Sequence, residues 1–316
     1  MENLHTFVSD SDTDHKKLYR GGFSVKNIFR TDLAAEARDL WKRGQTAPLE
    51  GLFTRREDRE GFSVDVVEIR SNKAEKELCK PKGRYVTVEL DALFRREEDA
   101  FERACRVLSE ELRRQLSLGK EETVLVVCLG NRDITPDAVG PLTAEKILVT
   151  RHLKESMPEA FAAFRPVSVF CTGVLGTTGV ESAQLTQAVT ESLRPDRVIA
   201  VDALSARETG RLCQAVQISD AGIVPGSGVG NARRALNRET LGVPVVAVGV
   251  PTVVDARTLC ADLTGTTSET LAEGAMFVTP RNIDSRVRDV SKLAGYAIDL
   301  ALHDGMTAAD VDMYLS

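Results

Sequence analysis

The chain has 316 residues, 42% hydrophobic and 28% charged, with a formal net charge of −6. This is the profile of a globular protein of one large or two ordinary domains, and its mild acidity argues against nucleic acid as a direct partner. The N-terminus, MENLHTFVSDSDTDHKK, has no apolar signal-peptide core, and no apolar run approaches the roughly 18 residues of a membrane span, so a cytoplasmic protein without membrane contact is expected.

Residues 1–20 are polar, lack periodicity and read as loosely attached. RTDLAAEARDLWKRG predicts a helix capped by Thr31, with Leu33, Ala37, Leu40 and Trp41 on one face. Residues 62–70 and 85–90 alternate as strands, and the charged stretch between them, with Pro81-Lys82-Gly83, reads as a turn. Residues 99–118 form a strongly amphipathic helix.

From 123 onward strand and helix signals alternate: strand 124–129, helix 137–155, strand 166–171, helix 181–193, then strands 197–201, 211–219 and 244–250. A helical tail covers 282–302, with a short helix after 303–305. Such alternation is the mark of a doubly wound α/β fold. The expected architecture is one α/β domain, a mostly parallel sheet flanked by helices in the phosphorylase/hydrolase-like manner, with a small β-rich embellishment near the N-terminus. The six cysteines (79, 105, 128, 171, 213, 260) form no CxxC pair, and several sit in apolar runs; they read as reduced core residues.

The chemistry points to carboxylates. The apolar run 124–129 fits a strand buried on both faces; Gly130-Asn131 ends it, and Thr135-Pro136-Asp137 reads as a helix start. Asp137 therefore falls just past the carboxyl end of a buried strand, where open α/β sheets place ligands, and Asp202 does the same after strand 197–201. A strand-end aspartate is often only a cap, but two in one sheet make a stronger lead. The glycine loop 226–231 lacks both the dinucleotide and the phosphate-loop patterns. Gly226, Ser227, Gly228 and Gly230, with Gly173 and Gly176 of the 172–179 loop and Gly130-Asn131, read as permissive loops lining a cleft. None of the four histidines (5, 15, 152, 303) follows a buried strand, and no GxSxG elbow is present.

CLGNRDITPDAVGPLTAEKILVTRHL, VIAVDALSAR, QISDAGIVPGSGVGNARRALNRETLGVPVVAVGVPTVVDA and FVTPRNID closely resemble the germination protease (spore protease) family of spore-forming Firmicutes, over nearly the whole chain from Arg30. The resemblance implies an endopeptidase that begins the degradation of small acid-soluble spore proteins in the spore core at germination. It also implies a zymogen, a homotetramer, and a sheet related to that of hydrogenase-maturation endopeptidases. The family's two essential aspartates fall on Asp137 and Asp202. In the maturation enzymes an acidic residue, an aspartate and a histidine hold nickel. Here Asp255, not histidine, follows strand 244–250, so no metal or other cofactor is expected. Many members have His before the Pro of the PGSGVGN loop, where this chain has Val224.

Thr31-Asp32-Leu33-Ala34-Ala35-Glu36 resembles the site that the family cuts in its substrates. Residues 1–32 are accordingly expected to be a pro-segment removed by self-cleavage between Asp32 and Leu33, with acidification as a trigger, leaving 33–316 as the peptidase domain. Two readings compete with this one: a metal-assisted processing peptidase of the hydrogenase-maturation kind, and a catalytically silent α/β binding protein.

Overall fold

The computed structural model describes residues 31–43, 45, 47–119, 121–227, 233–264 and 276–316. Nine strands build one sheet: β1 (Leu52–Arg59), β2 (Phe62–Ile69), β3 (Gly83–Glu89), β4 (Val124–Leu129), β5 (Val167–Gly173), β6 (Arg197–Ala206), β7 (Ala215–Ser219), β8 (Val245–Asp255) and β9 (Phe277–Val278). The order is β1-β2-β3-β7-β8-β6-β4-β5, with β9 on β8. The core β8-β6-β4-β5 is parallel, as expected. The β-rich embellishment expected near the N-terminus is present and joins the same sheet, β3 pairing antiparallel with β7 and β7 with β8.

Burial on both faces explains the unbroken apolar β4. Val124, Val126 and Cys128 pack into the large core with the helices Ala100–Leu116 and Ile283–Leu302. Leu125, Val127 and Leu129 pack on the opposite face, with Ala183, Val189 and Leu193 of the helix Ser182–Leu193.

The structure corrects several expectations. Strand β1 was missed: Arg55 through Arg59 are all charged, which hides a strand at the sheet's outer edge. The stretch between β2 and β3 holds a helix, Asn72–Leu78, capped by Ser71 Oγ, which accepts from the Ala74 N–H at 3.0 Å. The helix expected at 137–155 is broken into a 3₁₀ turn, Thr135–Asp137, and the helices Val139–Ala144 and Arg151–Ser156. Buried Asp299 draws off the Leu148 N–H (3.0 Å) and Val167 O takes the Thr150 N–H (3.1 Å), so the backbone cannot continue its helical ladder. The strand expected at 211–219 begins only at Ala215, after a 3₁₀ turn at Thr209–Arg211.

The cysteines divide evenly. Cys105, Cys128 and Cys213 are buried, whereas Cys79, Cys171 and Cys260 are exposed, and all six are free thiols. Cys171 stands opposite Cys128 in the β4–β5 register, and the contact with that thiol brings its pKa down to about 7.

Candidate active site

Asp202 is not at a strand tip. β6 runs four residues further, to Ala206, paired with a β8 that itself extends to Asp255. The register sets a polar row across five strands: Asp65–Thr87–Gln217–Gly249–Asp202. The helix Ala34–Lys42 docks on this row, with Arg38 Nη1 2.7 Å from Asp65 Oδ1 and the Ala34 N–H donating to Gln217 Oε1 at 2.8 Å.

Asp137 approaches from the turn after β4. Its Oδ2 accepts the Asn131 N–H at 2.8 Å, and Thr252 Oγ1 of β8 donates to the preceding Pro136 carbonyl at 2.7 Å. Gly130 makes this fold-back possible: its φ is +106°, and a Cβ there would stand 2.1 Å from the Asp137 carbonyl oxygen.

Asp137 and Asp202 line one cavity of about 410 Å³, together with Asp32, Ser227, Arg233 and Thr252. Burial pushes the Asp202 carboxyl well above the usual range, and the Asp137 charge pushes it further; the Ala203 N–H, donating at 2.9 Å, opposes this only in part. Burial raises Asp137 as well, but the Asn131 N–H and the Arg233 guanidinium pull it back down. One carboxyl is therefore biased to keep a proton and its neighbour to lose one.

The third acid is the unexpected one. The chain bends at Asp32, Leu33 is extended, and the helix begins at Ala34 with Leu33 in the capping position, so Thr31 is not its cap; Thr31 Oγ1 instead accepts the Leu33 N–H at 3.1 Å. The Asp32 N–H donates to Ser205 O (2.8 Å). Its carboxylate accepts from the Ser205 N–H (2.8 Å) and from Ser227 Oγ (2.6 Å). Lys80 Nζ holds the Thr31 carbonyl at 2.9 Å. Leu33 is fully buried among Leu204, Ala206, Leu212 and Val254. Glu36 accepts the Arg207 N–H (2.7 Å), the Glu208 N–H (3.1 Å) and the Thr31 hydroxyl, and burial raises its pKa.

Gly130, Gly226 and Ser227 line the cavity, as does Val224. Asn131 stands behind it, holding Asp137. Gly173 ends β5, its carbonyl accepting from Ser182 Oγ at 3.2 Å, and Gly176 lies in the single-turn helix Leu175–Thr178; Val174 between them is the residue that reaches the cavity. Gly228 and Gly230 lie outside the described residues. Asp255 caps the helix Ala256–Thr264, accepting from the Arg257 (3.0 Å) and Thr258 (3.1 Å) N–H groups, and does not line the cavity. No group of three or more His, Cys, Asp or Glu side chains able to hold a metal occurs among the described residues.

The germination protease family model matches residues 28–272. The chain belongs to the germination protease family. It is 40% identical to the germination protease of Caldanaerobacter subterraneus subsp. tengcongensis, over 90% of this chain and 98% of the other. It is 35% identical to that of Clostridium perfringens (strain 13), over 91% and 99%, and 45% identical to that of Bacillus velezensis, over 74% and 66%. Among solved structures, a [NiFe] hydrogenase maturation protease, HycI from Thermococcus kodakarensis, matches at 19% identity and a TM-score of 0.34, over 60% of this chain and 98% of that one. As a germination protease the chain is a peptidase, a hydrolase of spore germination. Among its described residues no helix is long and apolar enough to cross a membrane.

Sequence reasoning singled out two aspartates that share one cavity, but did not name Asp32, Gln217, Ser205 and Arg233 as their neighbours. Only Arg233 carried a usable signal, as a cation immediately after a cleft loop. The rest depend on strand register.

Proposed function

We propose that this germination protease is an endopeptidase that starts the breakdown of small acid-soluble spore proteins in the spore core, is made as a self-processing zymogen, and cuts with Asp137 and Asp202. The observation that carries this reading is the pair of unequal carboxyls in one cavity, with the junction 31–36 docked beside them. Asp202, buried and facing another acid, holds a proton and donates a hydrogen bond to the scissile carbonyl. Asp137, steadied by the Asn131 N–H and Arg233, takes a proton from the attacking water. The proton on Asp202 then passes to the leaving amine. The backbone N–H groups of Val224 and Gly226, two residues that line the cavity, are candidates for steadying the oxyanion.

The docked junction supports this substrate class. Asp32 accepts two hydrogen bonds, Leu33 fills an apolar pocket and Glu36 accepts two main-chain N–H groups. Small unstructured proteins carrying an acid, a large apolar residue, small residues and a further acid supply the same groups in extended form. Incubating the purified, processed protein with a small acid-soluble spore protein, beside Asp137→Asn, tests the assignment. New termini after an acidic residue are expected from the wild type alone, and an intact substrate in both tubes rejects it.

Gly130→Ala is expected to lower turnover about 100-fold with both acids untouched, because the added methyl collides with the Asp137 carbonyl and displaces the catalytic turn. Steady-state rates with a spore-protein substrate check this; unchanged kcat would show that the turn need not fold so tightly.

Turnover is also expected to survive exhaustive dialysis against EDTA. The last position of β8 is taken by Asp255, a helix cap pointing its carboxylate at backbone N–H groups. Activity lost on chelation and restored by one added metal would move the assignment to a metal-assisted peptidase.

A further inference from the structure

Gln217, on β7, is buried and lies in the register row of Asp202, with Gly249 of β8 between them. Its carboxamide makes two main-chain contacts with the junction. Nε2 donates to the Asp32 carbonyl at 3.2 Å, and Oε1 accepts the Ala34 N–H at 2.8 Å. Those two groups flank residue 33, so one side chain grips the backbone immediately before and after it. The carboxamide does both with a single planar group; a carboxylate lacks the donor, and a thioether has no donor and only a weak acceptor.

We infer that Gln217 is a substrate-positioning residue of this peptidase, a main-chain clamp that aligns the bond between residues 32 and 33 of the zymogen and the equivalent bond of substrate chains. The inference rests on the reading that the Asp32–Leu33 bond is cut. It goes beyond that reading by giving an alignment task to a residue outside the acid pair. The clamp reads no side chain. It touches the carbonyl that becomes the oxyanion and the next N–H but one, groups that every extended peptide offers. This complements Ser205 and Ser227, which contact the Asp32 side chain, and the apolar pocket around Leu33. A donor already on the carbonyl holds it in register with the carboxyls, and its bond strengthens as negative charge develops on that oxygen.

The test uses the full chain and two variants, Gln217→Met, which keeps length and removes both bonds, and Gln217→Glu, which keeps the acceptor and removes the donor. Two rates are read: appearance of the terminus beginning Leu33-Ala34-Ala35, and cleavage of a peptide containing Thr-Asp-Leu-Ala-Ala-Glu by protein that has completed processing. Two neutral hydrogen bonds contribute about 10- to 100-fold together. Gln217→Met is therefore expected to slow both reactions by that factor. Gln217→Glu is expected to lower kcat on the peptide while leaving KM within about threefold, because the bond lost is the one that strengthens in the transition state. Circular dichroism and an unfolding midpoint near that of the wild type confirm that the variants fold. A purely structural glutamine would leave kcat and KM of the folded variants unchanged, and a glutamine that merely latches the junction would make Gln217→Met process faster; either result overturns the inference. A wild type that cuts the peptide but never itself rejects self-processing alone, and the peptide rates then decide on Gln217.

Discussion

Asp137→Asn and Asp202→Asn are each expected to lower turnover by roughly 10⁴-fold or more, and the double variant by little beyond either single one. The two carboxyls act on one water and one carbonyl, so removing either disables the other. Asparagine is close to isosteric with aspartate and can still accept the Asn131 N–H at position 137 and the Ala203 N–H at position 202, which favours an intact fold. The pH profile has a defined sense. Activity falls on the acid side as Asp137 gains its proton, above the ordinary carboxylate range because burial raises it. It falls on the alkaline side as Asp202 loses its own, at a higher pH still, because burial and the Asp137 charge both oppose ionisation. Steady-state rates on a spore-protein substrate check these outcomes. A folded single variant with near-normal turnover removes that residue from the mechanism.

Full-length protein is expected to convert completely to a form beginning Leu33-Ala34-Ala35, and Asp137→Asn is expected to yield none of it over the same period. Edman sequencing or intact mass reads the outcome directly. The Asp32–Leu33 bond lies just outside the helix, which begins at Ala34, so the cut does not require that helix to unwind. The structure also revises the role expected of acid. Glu36 is buried with a raised pKa, so its charged form is the one that burial opposes. The docked state therefore weakens as pH rises from the ordinary carboxylate range through the raised value, and tightens as pH falls. Acidification does not release the junction through Glu36. A stable, uncut full-length protein that is already fully active would end the pro-segment reading and leave the peptidase assignment in place.

How much of this was legible in the sequence depended on the range of the forces involved. β4 announced itself because burial on both faces demands a solid apolar run, and the helices Ala100–Leu116 and Ile283–Leu302 because one buried stripe repeats every turn. Asp137 could be placed to the residue, since Gly130 and Pro136 fix the turn that carries it. Asp202 shares the cavity with Asp137, but its strand was ended too early: a charged residue reads locally as a strand end, whereas pairing with β8 carries β6 on to Ala206. Gln217 could not be found at all. Nothing near Ala215–Ser219 in the sequence shows that β7 lies two strands from Asp202, and the partners of its carboxamide are more than 180 residues away. The cysteines misled for a related reason: Cys171 sits in an apolar run, yet β5 is the outermost strand on its side and leaves that face open.

The opposite border of the sheet is β1, with its unbroken charges from Arg55 to Arg59. A protease whose substrates are unstructured chains, as proposed for this one, would meet them at every unpaired strand edge it displays as well as at its cleft. A border of valine and isoleucine would recruit such chains as an extra strand and seed aggregates. On β1 an incoming strand must bring its own side chains against closely spaced guanidinium and carboxylate groups that water solvates better. The border thus disfavours added strands, including those of the unstructured chains proposed as substrates.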